Sequence, residues 1–214
     1  MKSKLSLSLL LALLLSACGA PDRPTVSLYL AVQRGDIDQV ERHLHWGTDI
    51  NQPFPDGRYP LQDAAEKGRI ILLKLLLKSG AKVDVTDAAG MTALQLAVLG
   101  GRTRTAEELL KAGATLDASA LLLQAAKAGV QDRDVVRFLK THGADLDRAD
   151  EDGDTALIIA TASGNHRLVH HLVEQGADVN RRNREGLSAL DIAQRNDATD
   201  LQQFLLRNGA THSQ

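Results

Sequence analysis

His166, His170 and His171 fall within six residues of one another. His166 and His170 are four apart, the spacing that sets two imidazoles on one helix face where they could share a metal ion. Spacing fixes no third ligand beside them, so they read as helix-surface histidines, with no metal and no cofactor. His43 and His45 flank Leu44 and read as surface residues. The run Asp150-Glu151-Asp152-Gly153-Asp154 is as rich in carboxylates as a calcium loop. It lacks the alternation and the distal glutamate that such a loop needs, so it reads as a solvated turn. Ser163, His166 and an aspartate can be drawn as a nucleophile, a base and an orienting acid, but nothing in the spacing fixes that geometry. The chain reads as non-enzymatic. Cys18 is the only cysteine, which rules out an internal disulfide.

The elements that would position these residues come from repetition. Six glycines precede a small residue: Gly47-Thr48, Gly80-Ala81, Gly113-Ala114, Gly143-Ala144, Gly176-Ala177 and Gly209-Ala210. Their successive spacings are 33, 33, 30, 33 and 33 residues. A period of this size marks a stack of supersecondary units rather than a core around one pocket. Within the period, Tyr59-Pro60-Leu61 recurs as Thr92-Ala93-Leu94, Thr155-Ala156-Leu157 and Ser188-Ala189-Leu190. A Ser or Thr before an apolar run predicts a helix N-cap, and Pro60 suits the first turn. Gly68 and its equivalents separate a first helix from a second, whose buried face is predicted as Leu72, Leu73, Leu75 and Leu76. Gly80 then ends that helix.

These units resemble ankyrin repeats, most closely in Gly176-Ala177-Asp178-Val179-Asn180 and Asp152-Gly153-Asp154-Thr155-Ala156-Leu157. The resemblance covers residues 27–211, about six repeats. It implies an all-α solenoid of helix-turn-helix units with short β-hairpin fingers between them, ending in a tail at 212–214. The histidine usual after the Pro-Leu of the family is replaced by Gln62, Gln95, Ile158 and Asp191, so its hydrogen bonds must be replaced or lost. His142, before Gly143, matches a position where the family often carries a structural histidine. The fourth unit lacks an Asp-x-x-Gly-x-Thr segment between Asp117 and Leu122 and gains two residues between its helices. A shortened finger, a break in the stack near 116–120 and a longer helix–helix loop are expected there.

The first 17 residues read as a leader outside the fold. Lys2 and Lys4 precede an apolar run, Leu5 to Leu15, which is too short to span a bilayer well. The sequence Leu15-Ser16-Ala17-Cys18 resembles a bacterial lipoprotein signal, which implies that Cys18 becomes the lipidated first residue. Ordinary secretion with cleavage after Ala20 is the alternative. Gly19 stands where an aspartate favours inner-membrane retention in such proteins, so the expected address is the outer membrane, facing the periplasm of a Gram-negative cell. Residues 18–26 are expected to be the lipidated cysteine and a short linker. The eight residues Gly19 to Val26 would reach about 26 Å when extended.

Composition narrows the choice of partner. The formal net charge is −2, two units more acidic without Lys2 and Lys4, and no basic face suggests nucleic acid. One Trp, two Tyr and three Phe provide no stacking platform for bases. The expected partner is another protein, with the membrane reached only through the lipid. By family resemblance the binding positions are the finger tips and inner helices: Phe54, Asp56, Arg58, Tyr59, Glu66, Lys67, Met91, Glu151, Asp152, Asp154, Arg184, Glu185 and Leu187. Phe54, Tyr59 and Met91 carry most weight, since aromatic and Met residues are enriched in interface hot spots. Trp46 reads as the cover of a helix end. The acidic fifth finger and the basic sixth, with Arg181, Arg182 and Arg184, are expected to neutralise each other. The leading functional reading is a periplasmic immunity lipoprotein that neutralises a toxic effector, such as a lipase, delivered by type VI secretion. The alternative is an envelope accessory factor in oxidative-stress defence.

Overall fold

A computed structural model describes residues 20–212. The leader and Cys18 lie outside the described residues. The chain divides into two compact units, one ending at Ile50 and the other beginning at Asn51.

The first unit holds α1 (Leu28–Arg34) and α2 (Ile37–His45). The Ser27 hydroxyl accepts from Leu30 N, and the Asp36 carboxylate accepts from Gln39 N. Each cap satisfies an amide that the helix itself leaves without a partner. Gly35, at φ 71°, makes the turn between the two helices. His43 departs from its surface reading: it is buried. Its Nε2 faces Val26 O at 2.8 Å and its Nδ1 faces Thr48 Oγ1 at 3.0 Å. A carbonyl can only accept, so Nε2 carries the proton in neutral His43 and Nδ1 accepts from the Thr48 hydroxyl.

The second unit stacks five helix pairs: α3 (Pro60–Glu66) with α4 (Ile70–Lys78), α5 (Ala93–Leu99) with α6 (Thr103–Lys111), α7 (Ala118–Lys127) with α8 (Arg133–Thr141), α9 (Ala156–Ala162) with α10 (His166–Glu174), and α11 (Ala189–Arg195) with α12 (Thr199–Arg207). The predicted caps form: Thr92, Thr155 and Ser188 each accept the amide three residues on. The core runs through both helices of each pair, with Leu61, Leu73, Leu94, Leu109, Leu139, Leu157, Leu172 and Leu190 fully buried. Each such side chain contributes about 1.5–3 kcal/mol by leaving water. On α4, Leu72, Leu73 and Leu76 are buried, whereas Leu75 is half-buried. Ile71 is 75% exposed on the opposite side.

No strand forms among the described residues. The fifth and sixth fingers are each closed by one antiparallel bridge, Ala149 with Thr155 and Arg182 with Ser188. The expected hairpins are therefore tight turns, too short to propagate a ladder. The fourth repeat breaks the pattern at the predicted place. Asp117 passes straight into α7 as its N-cap, accepting from Ala120 N at 2.9 Å. The loop from α7 to α8 runs from Ala128 to Asp132, whereas Lys67 to Arg69 suffices between α3 and α4. The inner helices α3 and α5, α7 and α9, and α9 and α11 pack closely, but α5 and α7 are more widely spaced, with Gln95 Nε2 donating to Gln124 Oε1 at 3.4 Å.

Candidate protein-interaction face

Three fingers share one device at their tips. Asp87 Oδ1 accepts from Ala89 N and Met91 N, Asp150 Oδ1 from Asp152 N and Asp154 N, and Asn183 Oδ1 from Glu185 N and Leu187 N. The acidic run is thus a turn whose first carboxylate is already occupied by backbone amides. Asp150 also takes Lys127 Nζ at 2.7 Å. That hydrogen bond holds the Asp150 carboxyl below its ordinary range and raises Lys127. In the second finger Phe54 stands at the equivalent position, with its amide donating to Arg58 O as Asp87 N donates to Met91 O. Phe54 is buried, so its ring packs within the protein and is not presented to a partner. Asp56 closes that finger instead, accepting from Arg58 N.

The other predicted contact residues are largely paired with one another. Arg58 and Glu66 form a two-pronged ion pair, and this hydrogen bonding lowers the Glu66 pKa and raises that of Arg58. Lys67 Nζ lies 2.9 Å from the buried carboxylate of Asp63, and Arg69 approaches the same group at 3.7 Å. Met91 is half-buried; its carbonyl accepts from Gln62, and its sulfur faces Gln124 Nε2 at 3.0 Å. Tyr59 and Leu187 are half-buried, whereas Asp56, Glu151, Asp152, Arg184 and Glu185 are exposed.

The fifth and sixth fingers are joined, but not by the expected charge neutralisation. Arg184 N donates to Asp152 O at 3.1 Å and Asn183 Nδ2 to Asp154 Oδ1 at 2.8 Å. Arg182 turns to Asp191 of its own repeat at 3.0 Å. Among the described residues the ion pairs of the acidic finger run to Lys127, and none joins it to Arg184. The approach is close enough that a Cβ on Gly153, at φ 81°, would sit 2.7 Å from Arg184 N.

Sequence reasoning missed two features. The first is how the absent histidine is replaced. Gln62 Oε1 accepts from Tyr59 N, and its amide donates to Val85 O and Met91 O of the next finger. Gln95 accepts from Thr92 N, and Asp191 accepts from Ser188 N; Ile158 is buried and gives up such a bond. The second is a row of side chains that each accept the amide 31 residues on: Asn51 from Lys82, Asp84 from Thr115, Asp147 from Asp178 and Asn180 from Thr211. The signal was the Asn or Asp four residues after the glycine of each of the first five pairs. In the fourth repeat Asp117 reaches Arg148 Nη1 through both carboxylate oxygens at 2.8 Å instead, and Asp145 N turns to Ser119 Oγ.

The missing finger leaves open ground on both sides of α7. A hollow of about 280 Å³ lies over Leu94, Gln95, Leu116, Asp117, Leu121 and Gln124. A shallower one of about 520 Å³ is walled by Lys127, Arg148, Asp150, Glu151 and Asp152. Such a surface, part apolar floor and part charged rim, can receive a protein segment. The histidines do not converge. His170 stacks on Phe204 at 3.7 Å and His171 Nδ1 faces Glu174 at 3.8 Å. Among the described residues no three metal-ligating side chains come together.

Comparison with known proteins agrees with this architecture. Residues 28–120 and 122–214 each match the family described as ankyrin repeats in three copies. A chain in the solved structure of a predatory endopeptidase of Bdellovibrio bacteriovorus in complex with an immunity protein superposes with a TM-score of 0.70 at 27% identity, covering 86% of this chain and 99% of that one. An ankyrin repeat domain from Acinetobacter baumannii superposes with a TM-score of 0.67 at 25% identity, covering 86% and 98%. Among curated proteins, an L-asparaginase of Dirofilaria immitis is 31% identical over 69% of this chain, and the match spans 25% of that relative's length. Glycine-closed helix pairs at a 33-residue period, tied amide to side chain from one repeat to the next and matched along both halves, make this chain a member of the ankyrin repeat family.

Proposed function

We propose that this protein is a non-catalytic immunity lipoprotein of the bacterial periplasm, which binds a secreted toxic hydrolase and blocks it. The observation that carries this reading is the superposition, over nearly the whole of both chains, on a structure of a bacterial endopeptidase with its immunity protein. The surface supports it: the notch around α7 and the exposed tips Glu151, Asp152, Arg184 and Glu185 provide a charged, partly apolar face on a rigid stack. In this reading the anchor expected at Cys18 keeps the protein beneath the outer membrane, and the target is a hydrolase, such as a lipase, delivered there by type VI secretion.

The test is protection. Hydrolases encoded beside the gene are directed to the periplasm of cells with and without it, and the purified pairs are assayed for inhibition. Protection from one of them, with stoichiometric inhibition in vitro, supports the proposal. If every such hydrolase kills both strains equally and none is inhibited, the proposal is wrong.

A further inference from the structure

The segment ahead of α1, expected as a leash, is bound down. The Trp46 indole Nε1 donates to Pro21 O at 3.1 Å, and the Arg23 guanidinium lies 5.0 Å over the centre of the same ring. Thr25 N donates to Gln39 Oε1 at 2.9 Å, and His43 Nε2 to Val26 O at 2.8 Å. Residues 21–26 are therefore a strap along α2. Only three peptide units separate Pro21 from Cys18, about 11 Å at full extension. Trp46 remains 45% exposed despite these contacts.

Resting on the lipid anchor proposed above, we propose that Trp46 and the strap are a membrane-contacting face, with the indole seated in the headgroup region of the zwitterionic leaflet that holds the acyl chains. Acylation puts the Cys18 backbone at the lipid surface. A tether of about 11 Å and one hydrogen bond then keep the indole close to that surface. Tryptophan is the side chain that favours this layer, since its ring is apolar and its N–H polar. Here the N–H is already satisfied by Pro21, so entry leaves no donor without a partner. The surrounding charges are mixed: Asp22 faces Arg42 at 3.9 Å, and Asp38 and Glu41 lie beside Arg42 in the same hollow. That balance gives no electrostatic pull toward anionic lipid, which is why a zwitterionic surface is the partner chosen.

Trp46 is the only tryptophan in the chain, so its fluorescence reads this site alone. The full protein would be purified from the cell envelope, its mass measured for acylation, and the protein placed in vesicles of zwitterionic phosphatidylcholine with bromines high on the acyl chains. We expect an acylated protein to lose about half of its emission to the bromolipid, with acrylamide quenching several-fold weaker than for the same protein produced without residues 1–18, as befits an interfacial indole. A flexible insert of about 20 Gly/Ser residues after Gly19 loosens the tether while leaving the strap intact, and should restore most of the emission. Acylated protein whose tryptophan is untouched by bromolipid and open to acrylamide overturns the membrane face while leaving the anchor and the immunity reading standing. A protein without acyl chains overturns the anchor and this inference together.

Discussion

The junction between the fifth and sixth repeats and that between the third and fourth join the same kind of helix pair but are closed differently. At the former, two fingers meet backbone to backbone, Arg184 N on Asp152 O, across a glycine that admits no side chain. At the latter the finger is gone, Asp117 is a helix cap, and α5 and α7, more widely spaced, meet through Gln95 and Gln124 beside a hollow. Repeats thus hold together by contact with their immediate neighbours, and the missing finger leaves a hollow without unseating the helices on either side.

The contrast can be broken most sharply at its glycines. Gly153→Ala places a Cβ against Arg184 N, whereas the same change at Gly113 meets nothing within 4 Å, although both have positive φ. Urea unfolding should show Gly153→Ala costing about 2–4 kcal/mol and Gly113→Ala about 1 kcal/mol. Equal losses would mean that the finger contact contributes nothing. Next is Gln62→Ala, which leaves Tyr59 N without its acceptor and removes the Gln62 donor from Val85 O and from Met91 O, the latter keeping Asp87 N, and should cost about 2–3 kcal/mol. Gln95→Ala, beside the notch, should cost about 1 kcal/mol in the same measurement.

Acid should weaken the stack through its paired carboxylates. Glu66 is held down by its bond to Arg58, Asp117 by Ala120 N and then Arg148, and Asp150 by Lys127. Below the ordinary carboxylate range, about pH 4, the unfolded chain binds these protons first. Stability is therefore full at neutral pH and falls as pH drops through the lowered folded values. The urea midpoint followed from neutral to acid pH should show this slope, and Asp117→Asn should make it shallower. The smallest effect belongs to Asp197, the one described non-glycine residue with positive φ, at 52°, where the other regular repeats place Gly35, Gly68, Gly101 and Gly164. Asp197→Gly should raise the thermal midpoint, by about 0.5–1 kcal/mol in stability.

The helices, their caps and the defective fourth repeat were legible in the sequence because each is a local signal repeated at a known interval. Thr92, Thr155 and Ser188 announce their helices, and the 30-residue step announces the missing finger. The face was harder to read. Phe54 looks like an exposed tip until it is seen to occupy the aspartate position of its finger and to be buried. Arg58, Glu66 and Lys67 look available, but their charges are spent on each other and on Asp63. Which charges remain free depends on side chains meeting across about 30 residues, and Gln62 shows the same for hydrogen bonds: its substitution for histidine is visible in sequence, its reach to the next finger is not.

The row of side chains that accept amides 31 residues ahead bears on how such a protein can lengthen or shorten over evolution. A duplicated segment is silent only if it runs from one accepting Asn or Asp to the next, so that every donor finds its acceptor on the new neighbour. A segment of any other length arrives out of phase. The fourth repeat, three residues short, is out of phase in this sense, and there Arg148 and Ser119 take the places that the row of accepted amides fills elsewhere.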